Sequence, residues 1–106
     1  MNEKDAKDPN RVWRVFPEGL WIQWNIAHRK EIARVIELTV QGVTLAAEKP
    51  PNLRERVQLY FPVPEGAIRI DGFVKAVQPH VEIDFVSMDR ESWDGLIKLM
   101  QRLGNG

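Results

Sequence analysis

Between residues 20 and 85 of this 106-residue chain, apolar side chains recur at every second position in one short segment after another, with glycine, proline or charged clusters between the segments. A two-residue period puts alternate side chains on opposite faces of an extended strand, so the pattern describes half-buried strands rather than helices. In the first segment Leu20, Ile22, Trp24 and Ile26 share one face, and Trp21, Gln23 and Asn25 the other. His28-Arg29-Lys30 reads as a hairpin connection. The next segment, about residues 31 to 40, puts Ile32, Ile36, Leu38 and Val40 on one face with Arg34 as the exception, and Val35, Glu37 and Thr39 on the other. Gly42 then permits a tight turn or bulge into Val43-Thr44-Leu45-Ala46, and Pro50-Pro51-Asn52 ends pairing because proline lacks an N–H. Val57, Leu59 and Phe61 alternate with Gln58 and Tyr60, and Pro62 to Gly66 read as a loop. Residues 68 to 77 form a long strand with room for a bulge at Gly72, and Val81, Ile83 and Phe85 mark the last one.

From Asp89 the period changes. Trp93, Leu96, Ile97, Met100 and Leu103 recur at three- and four-residue intervals, which predicts one amphipathic helix over about 89–103, with Ser87 or Asp89 capping its start and Gly104 its end. Trp24 and Trp93 fall at core positions by period. Gly95, inside this helix, costs about 1 kcal/mol relative to alanine and stands there either for close packing or because it is tolerated. Six short strands followed by one helix predict a mainly β fold, a six-stranded antiparallel barrel whose open side or end the helix plugs.

The first ten residues carry five charges and a proline and, beyond the initiator Met1, no large apolar group, so residues 1–10 are expected as a flexible tail and residues 11–106 as a single domain. There is no cysteine, and His28 and His80 lie far apart without neighbouring ligands, so neither disulfides, thiol chemistry nor a metal is expected. The apolar runs are short and no charged-then-apolar leader opens the chain, which predicts a cytoplasmic protein without membrane insertion. Fifteen basic residues balance fifteen acidic ones, which argues against broad nucleic-acid binding, DNA included, since that affinity comes from a basic surface meeting phosphates. No glycine-rich phosphate loop, nucleophile elbow or metal-ligand spacing is present, so no enzyme and no cofactor is expected.

Two groups of residues can carry binding chemistry. Glu37 and Thr39 stand two apart on one strand face, where a carboxylate and a hydroxyl can meet a base edge or simply face water. Arg11 and Arg14 flank Trp13 in a short basic and aromatic arm and can clamp a phosphate or a purine edge, or serve as solvating charges. Trp13, Trp21 and Tyr60 are candidates for a partner surface, because aromatic residues dominate interface hot spots.

The order of these parts resembles a PilZ domain, the bacterial receptor module for cyclic di-GMP. The resemblance runs over about residues 10 to 103 and rests on Glu37-Leu38-Thr39-Val40-Gln41-Gly42 with the following Val43-Thr44-Leu45, on the arginine arm, and on Val81-Glu82-Ile83-Asp84-Phe85 leading into the helix. It implies that Glu37 takes the place of the family's Asp or Asn, Thr39 that of its Ser, and Gly42 that of its Gly. Glu37 is one methylene longer than Asp, Thr39 adds a methyl group to Ser, and the arginines are spaced Arg-x-x-Arg where the family has Arg-x-x-x-Arg. The implied ligand is cyclic di-GMP, bound by Arg11, Arg14, Glu37, Thr39 and Gly42. The implied role is second-messenger signalling to a protein effector in motility or biofilm regulation. The alternative is an adaptor on the same fold that no longer binds the nucleotide and docks a protein through its aromatic residues.

Overall fold

The computed structural model describes residues 13–105, so the expected tail and Arg11 lie outside the described residues. In chain order the elements are β1 (Arg14–Val15), β2 (Trp21–Ile26), β3 (Arg29–Thr39), β4 (Gly42–Ala46), β5 (Arg56–Val63), β6 (Gly66–Ala76), β7 (Val81–Met88) and α1 (Arg90–Asn105). All pairing is antiparallel in the order β3-β2-β5-β6-β7-β4, and β4 returns to β3, so six strands close into the expected barrel. The short β1 joins β3 from outside the ring, pairing Arg14 with Thr39 and Val15 with Leu38.

The alternation of β2 is as expected: Ile22, Trp24 and Ile26 are buried and Trp21 is exposed. Val57, Leu59 and Phe61 from β5, Ile68, Ile70 and Val74 from β6, and Val81 and Ile83 from β7 complete most of the core. Burial of each such side chain stabilises the fold by roughly 1.5–3 kcal/mol. Trp24 is the largest wholly buried side chain, and its indole N–H finds no acceptor among the described residues.

Strand β3 departs from the expected faces. Ile32 is 68% exposed and shares its outward face with Arg34, while Ala33 and Val35 are buried. The register against β4 then slips between Val35 and Glu37, so Ile36 is an extra residue and the phase reverses, burying Leu38. Arg34 is therefore in phase with its strand, and Ile32 does not belong to the core. No single two-residue period spans a β-bulge, which sets two residues of one strand against one of the other.

The connections are tighter than the sequence suggests. Ile26 pairs with Arg29, so the β2–β3 hairpin turns at Ala27 and His28, with Ala27 at φ 54°, and Arg29 and Lys30 belong to the strand. Val63 pairs with Gly66, which leaves Pro64 and Glu65 as a two-residue turn where a longer loop was expected. Pro62 is accommodated beyond Tyr60, the last β5 residue paired with β2. Opposite Gly72 the irregularity lies in β7, where Val86 is the extra residue between Phe85 and Ser87.

Helix α1 is fixed at both ends. The Ser92 N–H donates to Asp89 Oδ1 at 2.7 Å, the N-terminal cap, and the Arg69 N–H donates to the Ser92 hydroxyl at 2.9 Å, which ties the first turn to β6. Near the last turn Arg102 pairs with Glu65 of the β5–β6 turn. Leu96, Leu99 and Met100 are buried. Gly95 is there for close packing: a Cβ on it would stand 2.9 Å from Ile68 Cγ1. Because the close approach puts Ser92 and Gly95 against β6, Trp93 is turned about 100° away and is 40% exposed, not a core residue. The helix runs through Gly104 instead of ending there, and a Cβ on Gly104 would lie 3.4 Å from Trp13 Nε1.

Two outcomes follow from this packing. Gly95→Leu forces the helix off β6 and lowers unfolding stability by about 1–3 kcal/mol in urea titrations. Asp89 is held below its usual carboxylate range chiefly by the Ser92 N–H, and Glu65 chiefly by the Arg102 guanidinium. Such depressed groups contribute stability above the unfolded carboxylate value, near 4, and lose it as the pH falls through their folded values. Asp89→Asn keeps the cap without the titrating group, so stability measured below about pH 4 falls less steeply with acid than in the parent protein.

Candidate ligand-binding cleft

The barrel closes where β4 lies between β3 and β7, and a shallow cleft opens on its outer side. Strand pairing sets Glu37 opposite Thr44 and Thr44 opposite Glu82, while Gly42 stands opposite Asp84. Because Arg14 pairs with Thr39, its side chain reaches diagonally to Glu37, two residues away on the same strand. Arg14 Nη1 donates to Glu37 Oε2 at 2.5 Å. Four of the residues expected to bind ligand, Arg14, Glu37, Thr39 and Gly42, thus line one cleft. Arg11 lies outside the described residues.

Thr39 is 8% exposed and its hydroxyl is engaged in the turn it precedes. It accepts the N–H groups of Gln41 and Gly42, each at 3.0 Å, and donates to the Gly42 carbonyl at 3.3 Å. This is a side-chain-stabilised turn, with the hydroxyl doing what a backbone group would otherwise do. Gly42 has an equally structural cause: a Cβ there would meet the Ile83 carbonyl oxygen at 2.5 Å, so only glycine lets β4 lie this close to β7.

Three further charged residues line the cleft, none of them among the binding residues expected from the sequence. Lys75, Glu82 and Asp84 enter the cleft from β6 and β7, and Lys75 Nζ lies 3.7 Å from Asp84 Oδ1. The alternation of Val81, Ile83 and Phe85 held the signal, since it turns Glu82 and Asp84 outward together. The cleft therefore sets two cations against three carboxylates, with Arg14 already facing Glu37 and Lys75 facing Asp84. Its volume, about 140 Å³, is below that of sites that enclose small ligands, so a larger molecule would lie across its rim.

The aromatic candidates divide. Trp13 sits by the end of α1, whereas Trp21 and Tyr60 are on the outer face of neighbouring strands β2 and β5.

No protein-family profile matches the chain, and no curated protein matches it by sequence. Solved structures do match by fold. The PilZ domain of Escherichia coli YcgR with cyclic di-GMP superposes with a TM-score of 0.71 at 12% identity, over 92% of this chain and 92% of that one. The Borreliella burgdorferi PlzA protein in complex with cyclic di-GMP gives 0.67 at 14% identity, over 90% of this chain and 42% of that one. The PilZ domain of CeSA from a cellulose-synthesizing bacterium gives 0.66 at 10% identity, over 86% and 97%. The chain thus has a PilZ-like fold: a closed six-stranded antiparallel barrel with one added strand and a C-terminal helix.

Thr39→Val removes the acceptor for two N–H groups in the β3–β4 turn. Its unfolding free energy in urea should fall by about 1–3 kcal/mol, while Thr39→Ser stays near the parent value.

Proposed function

We propose that the cleft between β1, β3, β4 and β7 receives cyclic di-GMP, and that the domain passes this binding on to a protein effector. One observation carries the reading: β1 lies on β3 so that the Arg14 guanidinium and the Glu37 carboxylate stand side by side at the cleft. A guanine presents N–H donors on its Watson–Crick edge and the acceptors O6 and N7 on its Hoogsteen edge. A carboxylate matches the first and a guanidinium the second. Thr39 and Gly42 then act by shaping the turn and the close β4–β7 approach that form the floor. The complexes of YcgR and PlzA with cyclic di-GMP support the choice of ligand.

Charge sets the terms of binding. Three carboxylates against two cations repel a dianion, so phosphate affinity has to come from Arg11 and from Arg14 and Lys75 leaving their carboxylate partners. The same self-pairing favours a second reading, an adaptor on the PilZ-like fold that does not take the nucleotide.

Isothermal titration calorimetry of the full chain with cyclic di-GMP separates the two, with cyclic di-AMP and GTP as controls. Selective heat is expected, and Arg14→Ala should weaken binding about tenfold to a hundredfold, the worth of a charge-assisted contact of about 1.5–3 kcal/mol. Its effect on stability should stay near or below about 1 kcal/mol, because Arg14 itself is half exposed in its pair with Glu37. No heat from a folded protein would leave the adaptor reading standing.

A further inference from the structure

The outer face of β2 carries a cluster that barrel closure does not explain. Gln23 stands directly opposite Ile32 on β3 and Tyr60 on β5, and Trp21 precedes it by two residues on the same face. Trp21 is 50% exposed and Ile32 68%. A β-branched aliphatic group and an indole set diagonally on an outward face give up contact with the core and gain nothing from water.

The surroundings are charged in one sense. Trp21 and Ile32 line a groove of about 950 Å³ together with Lys30, Arg34 and Lys49. Arg29 and Glu31, also on its wall, neutralise each other at 2.8 Å. Lys30, Arg34 and Lys49 have no ion-pair partner among the described residues, and Glu48 is the remaining carboxylate of the groove. An apolar centre with aromatic residues and arginine, ringed by polar groups, has the anatomy of a protein interface.

We infer that this face docks a partner protein through an acidic segment with an apolar anchor, the anchor resting on Trp21 and Ile32 and the carboxylates meeting Lys30, Arg34 and Lys49. Charge decides against the other occupants. A second copy of the chain meeting this face about a two-fold axis would set the same cations against each other. A phosphate backbone offers no apolar group to rest on Ile32, and it would run past Glu48 in the same groove. The inference deepens the effector half of the proposed function and does not depend on the cleft binding a nucleotide.

The test uses the full chain and a displayed library of random short peptides, with solution mass measured by light scattering. Enriched peptides should share a large apolar residue flanked by Asp or Glu and bind more weakly as salt is raised. They should lose about tenfold or more in affinity to Trp21→Ala, Ile32→Glu and Arg34→Glu taken singly, but not to Trp93→Ala. The three sites are exposed, so the variants are expected to keep the parent urea midpoint, and Ile32→Glu to keep the parent response to cyclic di-GMP. The inference is overturned by a library without an enriched family or by enriched peptides indifferent to these variants. It is equally overturned by a dimer that Ile32→Glu dissolves, or by displacement of the peptides with oligothymidylate.

Discussion

Closure of the barrel depends on one strand changing phase halfway along. β3 pairs with β2 through Arg34 and with β1 at Leu38 and Thr39 on one side, and with β4 on the other. Its first half buries Ala33 and Val35, its second half Leu38. In an unbroken strand these residues could not all face inward, because odd and even positions point to opposite sides. The extra residue at Ile36 resolves the conflict, and it also turns Glu37 outward and adjusts the far half of β3 to β1 and β4. The cleft is a consequence of that bulge: it aims the carboxylate, and it begins where β1 joins.

Close approaches do the rest of the positioning. Gly42 admits the Ile83 carbonyl, Gly72 admits Ile83 Cγ2 at 2.5 Å from where its Cβ would be, and Gly95 admits Ile68. All three partners lie on β6 or β7, so the side of the barrel that carries the helix and the cleft is its most tightly drawn wall. Overpacking there cannot be relieved at Gly42, where the obstacle is backbone, and is more easily relieved at Gly95, where it is a side chain.

The strand order of events was legible in the sequence because most strands keep a strict period. β2 is the plainest case, with Ile22, Trp24 and Ile26 inward and every intervening residue outward. The existence of the helix was equally legible, and of the two caps the sequence offers, Ser87 and Asp89, the structure uses Asp89. What was hidden has a common cause: side-chain faces set by tertiary contact. Ile32 looks like a core residue until the bulge is known, and Trp93 looks like one until Gly95 and Ser92 are seen to take the contact with β6. At the cleft, the residues that come together were legible through the family resemblance, since Glu-x-Thr on a strand says little alone. That Thr39 spends its hydroxyl on the turn to Gln41 and Gly42 is local and was open to reading, whereas that Arg14 and Lys75 each face a carboxylate follows from pairing across strands that no local pattern encodes.

The balanced charge of the chain conceals a division between its surfaces. The cleft is short of cations, while the groove along β2 and β3 has an excess of them. Both include side chains of β3, on opposite sides of its bulge. At Arg34 that strand is paired on both sides, with Trp21 of β2 and Ala46 of β4, so a ligand at Glu37 has little means of bending it toward the groove. β1 is different: it is held to β3 by two residue pairs, and the residue before it touches the end of α1. If the cleft takes the proposed nucleotide, drawing Arg14 away from Glu37 acts first on this two-residue strand, which Val15 anchors in the core, and not on the barrel wall. On that proposal the barrel is the constant platform and β1 the part that would differ between free and bound states, which separates where a partner would dock from what would tell it that the cleft is filled.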